Sequence, residues 1–333
     1  MQVKQHTARV LVGRLRGAAA ACDGAATAAA LAAIRQASKD DPEVRAPLAA
    51  AGAAPLLAAQ LLSCPSSTDA AAALLNISIS ARDQLMSPSA APALLDALTA
   101  ALRAPAAAHH AAATVHSLLC AEAHRAAVGA RRPLLAALVA LLRAPTRTTR
   151  ATKDALKALF AVALYPPSRA TLVALGAVQA LFALLLTDAR AGVLEDATAV
   201  VAQVAGCAES VGAFRWVSGV RILLDLVEPG GGATPRAREN AAAALLNLVV
   251  AGGDHAAEEV LAVGGAEEAV RELAEDGDAS PRGKAKAQAL LRALEGAGPA
   301  AATRRDHRLA DFLNGMVQSD PYISGPPSAS THG

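Results

Sequence analysis

The side chains in this sequence best placed to do chemistry are amides that return at a nearly fixed interval. Asn76 and Asn247 each close the same seven residues, Ala-Ala-Ala-Ala-Leu-Leu-Asn, at 70–76 and 241–247. The equivalent positions Gln36, Asn76, Ser117, Ala161, Gln203, Asn247 and Arg292 follow one another at intervals of 40, 41, 44, 42, 44 and 45 residues. A primary amide offers a donor and an acceptor together, so it can pair with a peptide backbone as well as with another side chain. Gln36, Asn76, Gln203 and Asn247 keep that capacity, whereas Ser117 and Ala161 lose it and Arg292 replaces it with a charge.

Other chemistry finds less support. His109, His110, His116 and His124 crowd into one period, and His109 and His116 share a helix face, but no carboxylate or thiolate is fixed beside them. They are read as a surface patch or a solvated helix face, not as a metal site. Cys22, Cys64, Cys120 and Cys207 are far apart, with no C-x-x-C pair, and read as buried reduced thiols of an intracellular protein. No Gly-x-Ser-x-Gly, no His-Glu-x-x-His and no close carboxylate pair in an apolar setting is present, so no catalytic residues are expected. The Gly-rich stretch Gly230-Gly231-Gly232 lacks Gly-Lys-Ser/Thr and is read as a loop. Phe214 and Trp216 are either an interface anchor or, the preferred reading, the filling of a gap between repeats five and six.

The elements that must position these residues are helices. Aromatic residues are only 2% of the chain, and the 53% hydrophobic share is dominated by alanine and leucine, the strongest helix formers. Each period pairs an alanine-rich helix with a leucine-rich one that starts at a small residue, as at Gly52-Ala53-Ala54-Pro55-Leu56 and Gly176-Ala177-Val178-Gln179-Ala180. One such unit cannot bury its own apolar faces, so its neighbours must stack on it. The expected fold is all-α: a right-handed α-solenoid of about seven helical repeats over residues 1–297, with a largely disordered tail at 298–333 rich in Ser, Pro and Gly.

A formal net charge of +2 without long blocks of one sign argues against nucleic-acid binding. The longest apolar run, Leu172 to Leu186, falls short of the roughly 20 residues needed to cross a bilayer. Lys4, Arg9, Arg14 and Arg16 faintly suggest a transit peptide, but a solvated first helix is the preferred reading. A cytoplasmic location is expected, with the nucleus as second choice. No cofactor or metal is expected.

The period and its late asparagine resemble the armadillo repeat. The run from Arg236 to Leu248, Arg-Ala-Arg-Glu-Asn-Ala-Ala-Ala-Ala-Leu-Leu-Asn-Leu, is similar to the penultimate repeat of plant U-box proteins. Ser280-Pro281-Arg282-Gly283-Lys284, followed by an alanine-leucine helix, is similar to their final repeat, and Lys39-Asp40-Asp41-Pro42-Glu43-Val44-Arg45 to their first. The resemblance spans about residues 8 to 295. It implies that the last helix of each repeat lines a concave groove, where an asparagine ladder pairs with an extended peptide. On that basis the candidate partner-binding residues are Gln36, Asn76, Ser117, Gln203, Asn247 and Arg292. Since only some of these positions carry an amide, an uninterrupted ladder is not expected; local hydrogen bonds to a neighbouring helix are the alternative.

The family are E3 ubiquitin ligases whose U-box recruits the charged E2 and whose repeats hold substrates or receptor-like kinases at the membrane. No U-box is recognisable here, and the chain enters its first repeat within about ten residues of Met1, so ligase activity is expected to belong to a missing part. The leading reading is a protein-interaction scaffold in the ubiquitination pathway or plant signalling, its partners being proteins or peptides in the groove. The alternative is part of an active U-box ligase. Cargo binding of the nuclear-transport kind is disfavoured, because tryptophan is absent from the asparagine-bearing helices.

Overall fold

The computed structural model describes residues 2–296, so the tail expected at 298–333 lies outside the described residues. The chain divides into two compact units, Met1–Ala180 and Leu181–Gly333. All regular structure among the described residues is helical.

In the first unit, α1 (Gln2–Ala20) and α2 (Gly24–Asp40) form an opening pair. Three-helix repeats follow: α3 (Arg45–Ala50), α4 (Ala53–Ser63) and α5 (Thr68–Ser80); α6 (Arg82–Leu85), α7 (Ala91–Leu102) and α8 (Ala108–Leu119); α9 (Arg125–Gly129), α10 (Arg132–Arg143) and α11 (Thr149–Ala163). Helix α12 (Pro167–Ala174) then leads into α13 (Ala177–Thr187), within which the division between the units falls. The third helices stack directly, α2 on α5, α5 on α8 and α8 on α11, while α4 packs on α7 and α7 on α10. Alanine makes this close approach possible. Ala70, Ala71, Ala73, Ala111 and Ala112 are fully or almost fully buried, and leucines such as Leu57, Leu61, Leu74 and Leu98 fill the space behind them.

In the second unit the rest of α13 is followed by α14 (Ala191–Val204), α15 (Ser210–Trp216), α16 (Gly219–Val227), α17 (Pro235–Leu261), α18 (Ala266–Glu275) and α19 (Pro281–Glu295). Here α14 packs on α17, α17 on α19 and α16 on α18. The length of α17 is deceptive. Gly253 adopts φ 60°, ψ −146°, so the segment is the third helix of one repeat joined through a kink to the short first helix of the next. Seven third helices therefore occur among the described residues, matching the period read from the sequence.

The short first helices are what the two-helix reading missed. In four repeats the chain turns from the first helix into the second through a left-handed residue, Gly52, Gly176, Ser218 and Gly265 having φ between 53° and 87°, whereas the turns into α7 and α10 keep negative φ. The turn at Gly52 redirects the chain by 84°. Ser218 fills the same role without glycine, at a backbone cost of order 1 kcal/mol. Third helices are capped as their sequences suggest. Asp23, Ser67, Thr148, Thr234 and Ser280 each accept a hydrogen bond from a backbone N–H three residues on, which ends the unpaired first turn. At the other end, the Arg45 guanidinium donates to Ser38 O and that of Arg169 to Ala163 O, each at 2.8 Å, placing a cation against a helix C-terminus.

Candidate functional site

The third helices carry all the amide positions, and the structure separates these by burial and partner. Gln36 on α2 is exposed and donates along its own helix to Asp40 Oδ2 at 2.7 Å. Asn76 on α5 is half-buried; its Nδ2 donates across the seam to Ser38 Oγ at 3.1 Å and, at 3.5 Å, to Arg35 O of α2. Asn247 on α17 repeats this in the second unit, donating 2.7 Å to Ala202 O of α14. Ser117 and Gln203 are each only 7% exposed, Ala161 is buried and Arg292 is exposed. The amides that matter thus bridge adjacent third helices, with no hydrogen bond recorded at the Oδ1 of either asparagine.

Some cross-seam residues escaped the sequence reading. Asn240, two turns before Asn247, donates to Glu195 O at 3.1 Å and to Thr198 Oγ1 at 3.3 Å. The i,i+7 spacing of two asparagines on one helix is the signal that could have found it. Glu239 gathers Ser280 Oγ at 2.6 Å, Lys286 Nζ at 3.3 Å and Arg282 Nε at 3.5 Å, tying α17 to α19. Arg238 pairs with Asp276, whose carboxyl is held below the usual range first by that hydrogen bond. In the first unit Arg35 Nε lies 2.6 Å from Asp69 Oδ1, joining α2 to α5.

The histidines are not a solvated face. His124 is buried, with Nδ1 3.0 Å from Leu118 O and Nε2 3.2 Å from Asp83 Oδ1. His109, His110 and His116 are half-buried on α8. Burial pushes the imidazoles of His110 and His116 down to about 4, helped by the cations nearby: Arg150 and Arg35 for His110, and Lys157 and Arg82 for His116. Among the described residues no group of three or more His, Cys, Asp or Glu is arranged to hold a metal ion.

Two further expectations are corrected. Cys22, Cys64 and Cys120 are exposed and Cys207 is half-buried, all as free thiols, because each lies in the turn that follows a helix and not on a packed helix face. Phe214 and Trp216 do different things. Phe214 is 1% exposed and meets Phe182 edge-on, with ring centroids 5.3 Å apart, whereas Trp216 is 83% exposed and fills no gap. No helix among the described residues is long and apolar enough to cross a membrane by itself. A cleft of about 220 Å³ lies at the loop ends of the first unit, lined by Leu102, Pro105, Leu141, Arg147 and Ala151 among others.

Comparison with known proteins agrees with this architecture. The family described as the plant U-box protein ARM repeat region matches residues 11–299. No curated protein matches the chain. Among solved structures, an engineered protein from a structural genomics consortium superposes with TM-score 0.70 at 24% identity, over 86% of this chain and 68% of that one. A designed armadillo repeat protein superposes with TM-score 0.60 at 23% identity, over 72% and 99%. A second designed armadillo repeat protein, solved in complex with the peptide (KR)4, superposes with TM-score 0.50 at 21% identity, over 86% and 98%. At these identities the solved structures speak for the fold alone. The stacked three-helix repeats, the asparagines bridging their third helices and a family match running almost the whole described length lead to one conclusion: the chain belongs to the armadillo-repeat region family of plant U-box proteins.

Proposed function

We propose that the third-helix faces bind an extended segment of another protein, making the chain the partner-holding module of a ubiquitination or plant-signalling assembly. The observation that carries this is the state of Asn76 and Asn247. Each spends its Nδ2 on the preceding third helix and keeps Oδ1 without a hydrogen bond, so the amide is held in place with an acceptor left for an incoming N–H. Designed relatives of this fold were made for modular peptide recognition, and one was solved with a bound peptide. Ubiquitination substrates and receptor-like kinases are the partners this reading favours, met in the cytoplasm or the nucleus. No residue here is assigned to catalysis.

The test is a peptide-display selection against the chain, followed by binding measurements on Asn76→Arg and Asn247→Arg. Selected peptides should lose binding to at least one of these variants while retaining it for Trp216→Ser. Peptides that bind all three variants equally, or that cross-link only to the loops, would overturn the proposal. The family match also favours a second reading, in which the chain is one part of an active ligase. Ubiquitin chains formed by this chain with E1 and E2 alone would support that reading over a pure scaffold.

A further inference from the structure

The third-helix faces do not carry the same charge along the chain. In the first unit, α8 contributes no acid, and α11 places Arg150, Lys153 and Lys157 three or four residues apart along one side. Helix α11 packs directly on α8, and of its cations Arg150 lowers the His109 and His110 imidazoles and Lys157 that of His116. Arg35, on α2 and separated from α8 by α5, adds to the effect on His110. The α11 side of α8 is therefore lined by a strip of cations, and the His110 and His116 imidazoles beside it, held at about 4, are neutral at pH 7. Of the acids nearby, Asp69 pairs with Arg35 and Asp154 lies 3.9 Å from Arg150.

We infer that the α5–α8–α11 face of the first unit takes an acidic, extended protein segment, with carboxylates or phosphates set over Arg150 and Lys157. The inference rests on the third-helix reading above and names its ligand chemistry. Charge complementarity selects this occupant: a basic segment such as (KR)4, bound by one designed relative, would meet like charges here. Half-burial of Lys157 strengthens its attraction over that of a fully solvated lysine, Arg150 acts from the exposed end of the strip, and added salt should weaken both.

The experiment is fluorescence anisotropy on the full chain with four labelled probes of equal length: an Asp/Glu–Leu alternating peptide, its Lys/Arg–Leu and Gln/Ser–Leu counterparts, and a single-stranded oligonucleotide. The acidic peptide should bind at least tenfold more tightly than the other probes and weaken steeply as salt rises. The double variant Arg150→Glu/Lys157→Glu should remove that preference. Arg132→Glu, on the second helix α10, should keep it, and circular dichroism of both variants should show unchanged helix content. Tighter binding of the basic peptide or of the oligonucleotide would overturn the inference. So would acidic binding that survives the double reversal. If peptides of every charge bind equally and lose binding in Asn76→Arg, the acidic preference is overturned and the third-helix reading stands. If no peptide binds, both fall.

Discussion

The heptapeptide Ala-Ala-Ala-Ala-Leu-Leu-Asn sits inside α5 of the first unit and α17 of the second, and its two copies are buried alike except at Leu75, half-buried where Leu246 is fully buried. Leu74 and Leu245 are completely inaccessible, and Asn76 and Asn247 each donate Nδ2 to the third helix before. The polar residues nearby differ. On the first copy, Asp69 at i−7 pairs with Arg35, and the next helices carry histidines and then lysines. On the second copy, Asn240 at i−7 reaches Glu195 and Thr198 of α14, which has no cation, and the next helix, α19, carries Arg282 and Lys286 paired with Glu239 and has no histidine. Burial therefore dictates the stack, while the half-buried positions are free to choose a ligand. A solenoid permits this because each repeat touches only its neighbours, so a surface change stays local.

The strongest challenge to the equivalence of the two copies is Leu74→Ala against Leu245→Ala. Each should lose about 2–5 kcal/mol locally, and by similar amounts, as read from hydrogen exchange of α5 and α17. A large inequality would mean that the copies are not packed alike. The aromatic packing specific to the second unit gives the next effect. A Cβ on Gly219 would lie 2.9 Å from Phe182 Cζ and 3.2 Å from Phe214 Cδ1, so Gly219→Ala should cost about 1–3 kcal/mol in that unit, seen as faster exchange in α16.

Acid should separate the units. The folded-state pKa of His116 is depressed from 6.5 to about 4, so between those values the unfolded chain binds a proton that the folded one refuses. Stability is full above the unfolded value and falls as pH drops through that window. From pH 7 to pH 5 the loss due to His116 should be about 1–2 kcal/mol after allowance for the ring's residual solvent contact; His116→Gln should remove that share and leave the one due to His110, which is depressed alike. Exchange in α8, with α14 as internal reference, is the measurement. Asn76→Ala and Asn247→Ala should each cost about 1 kcal/mol, the worth of one bridging hydrogen bond, by chemical denaturation. Trp216→Ser should change stability by less than about 0.5 kcal/mol, because the ring is in solvent.

How legible a feature was depended on its range. Long helices were read correctly because alanine and leucine recur at helical spacing over ten or more residues. The first helices, such as α6 with four residues and α9 with five, are too short to show a period. Phe214 and Trp216 were read as a pair because they are two apart in sequence. On a helix that spacing turns them about 200° from each other, so one faces the core and the other water. Likewise, apolar neighbours hid the fact that each cysteine falls just past a helix end, in a turn, and three of the four thiols are exposed.

The repeat period, the all-helical class and the seven third helices follow from the sequence by itself, since a small-residue helix beside a leucine-rich one has no stable arrangement except stacking. Which atom each amide binds, and which cations meet over α8, was decided only by tertiary structure. The partners lie about 40 residues apart in the chain, and the register of one helix on the next is set by how their alanines interlock. That interlocking turns Asn76 toward Ser38, and Arg150 and Lys157 toward the histidines of α8.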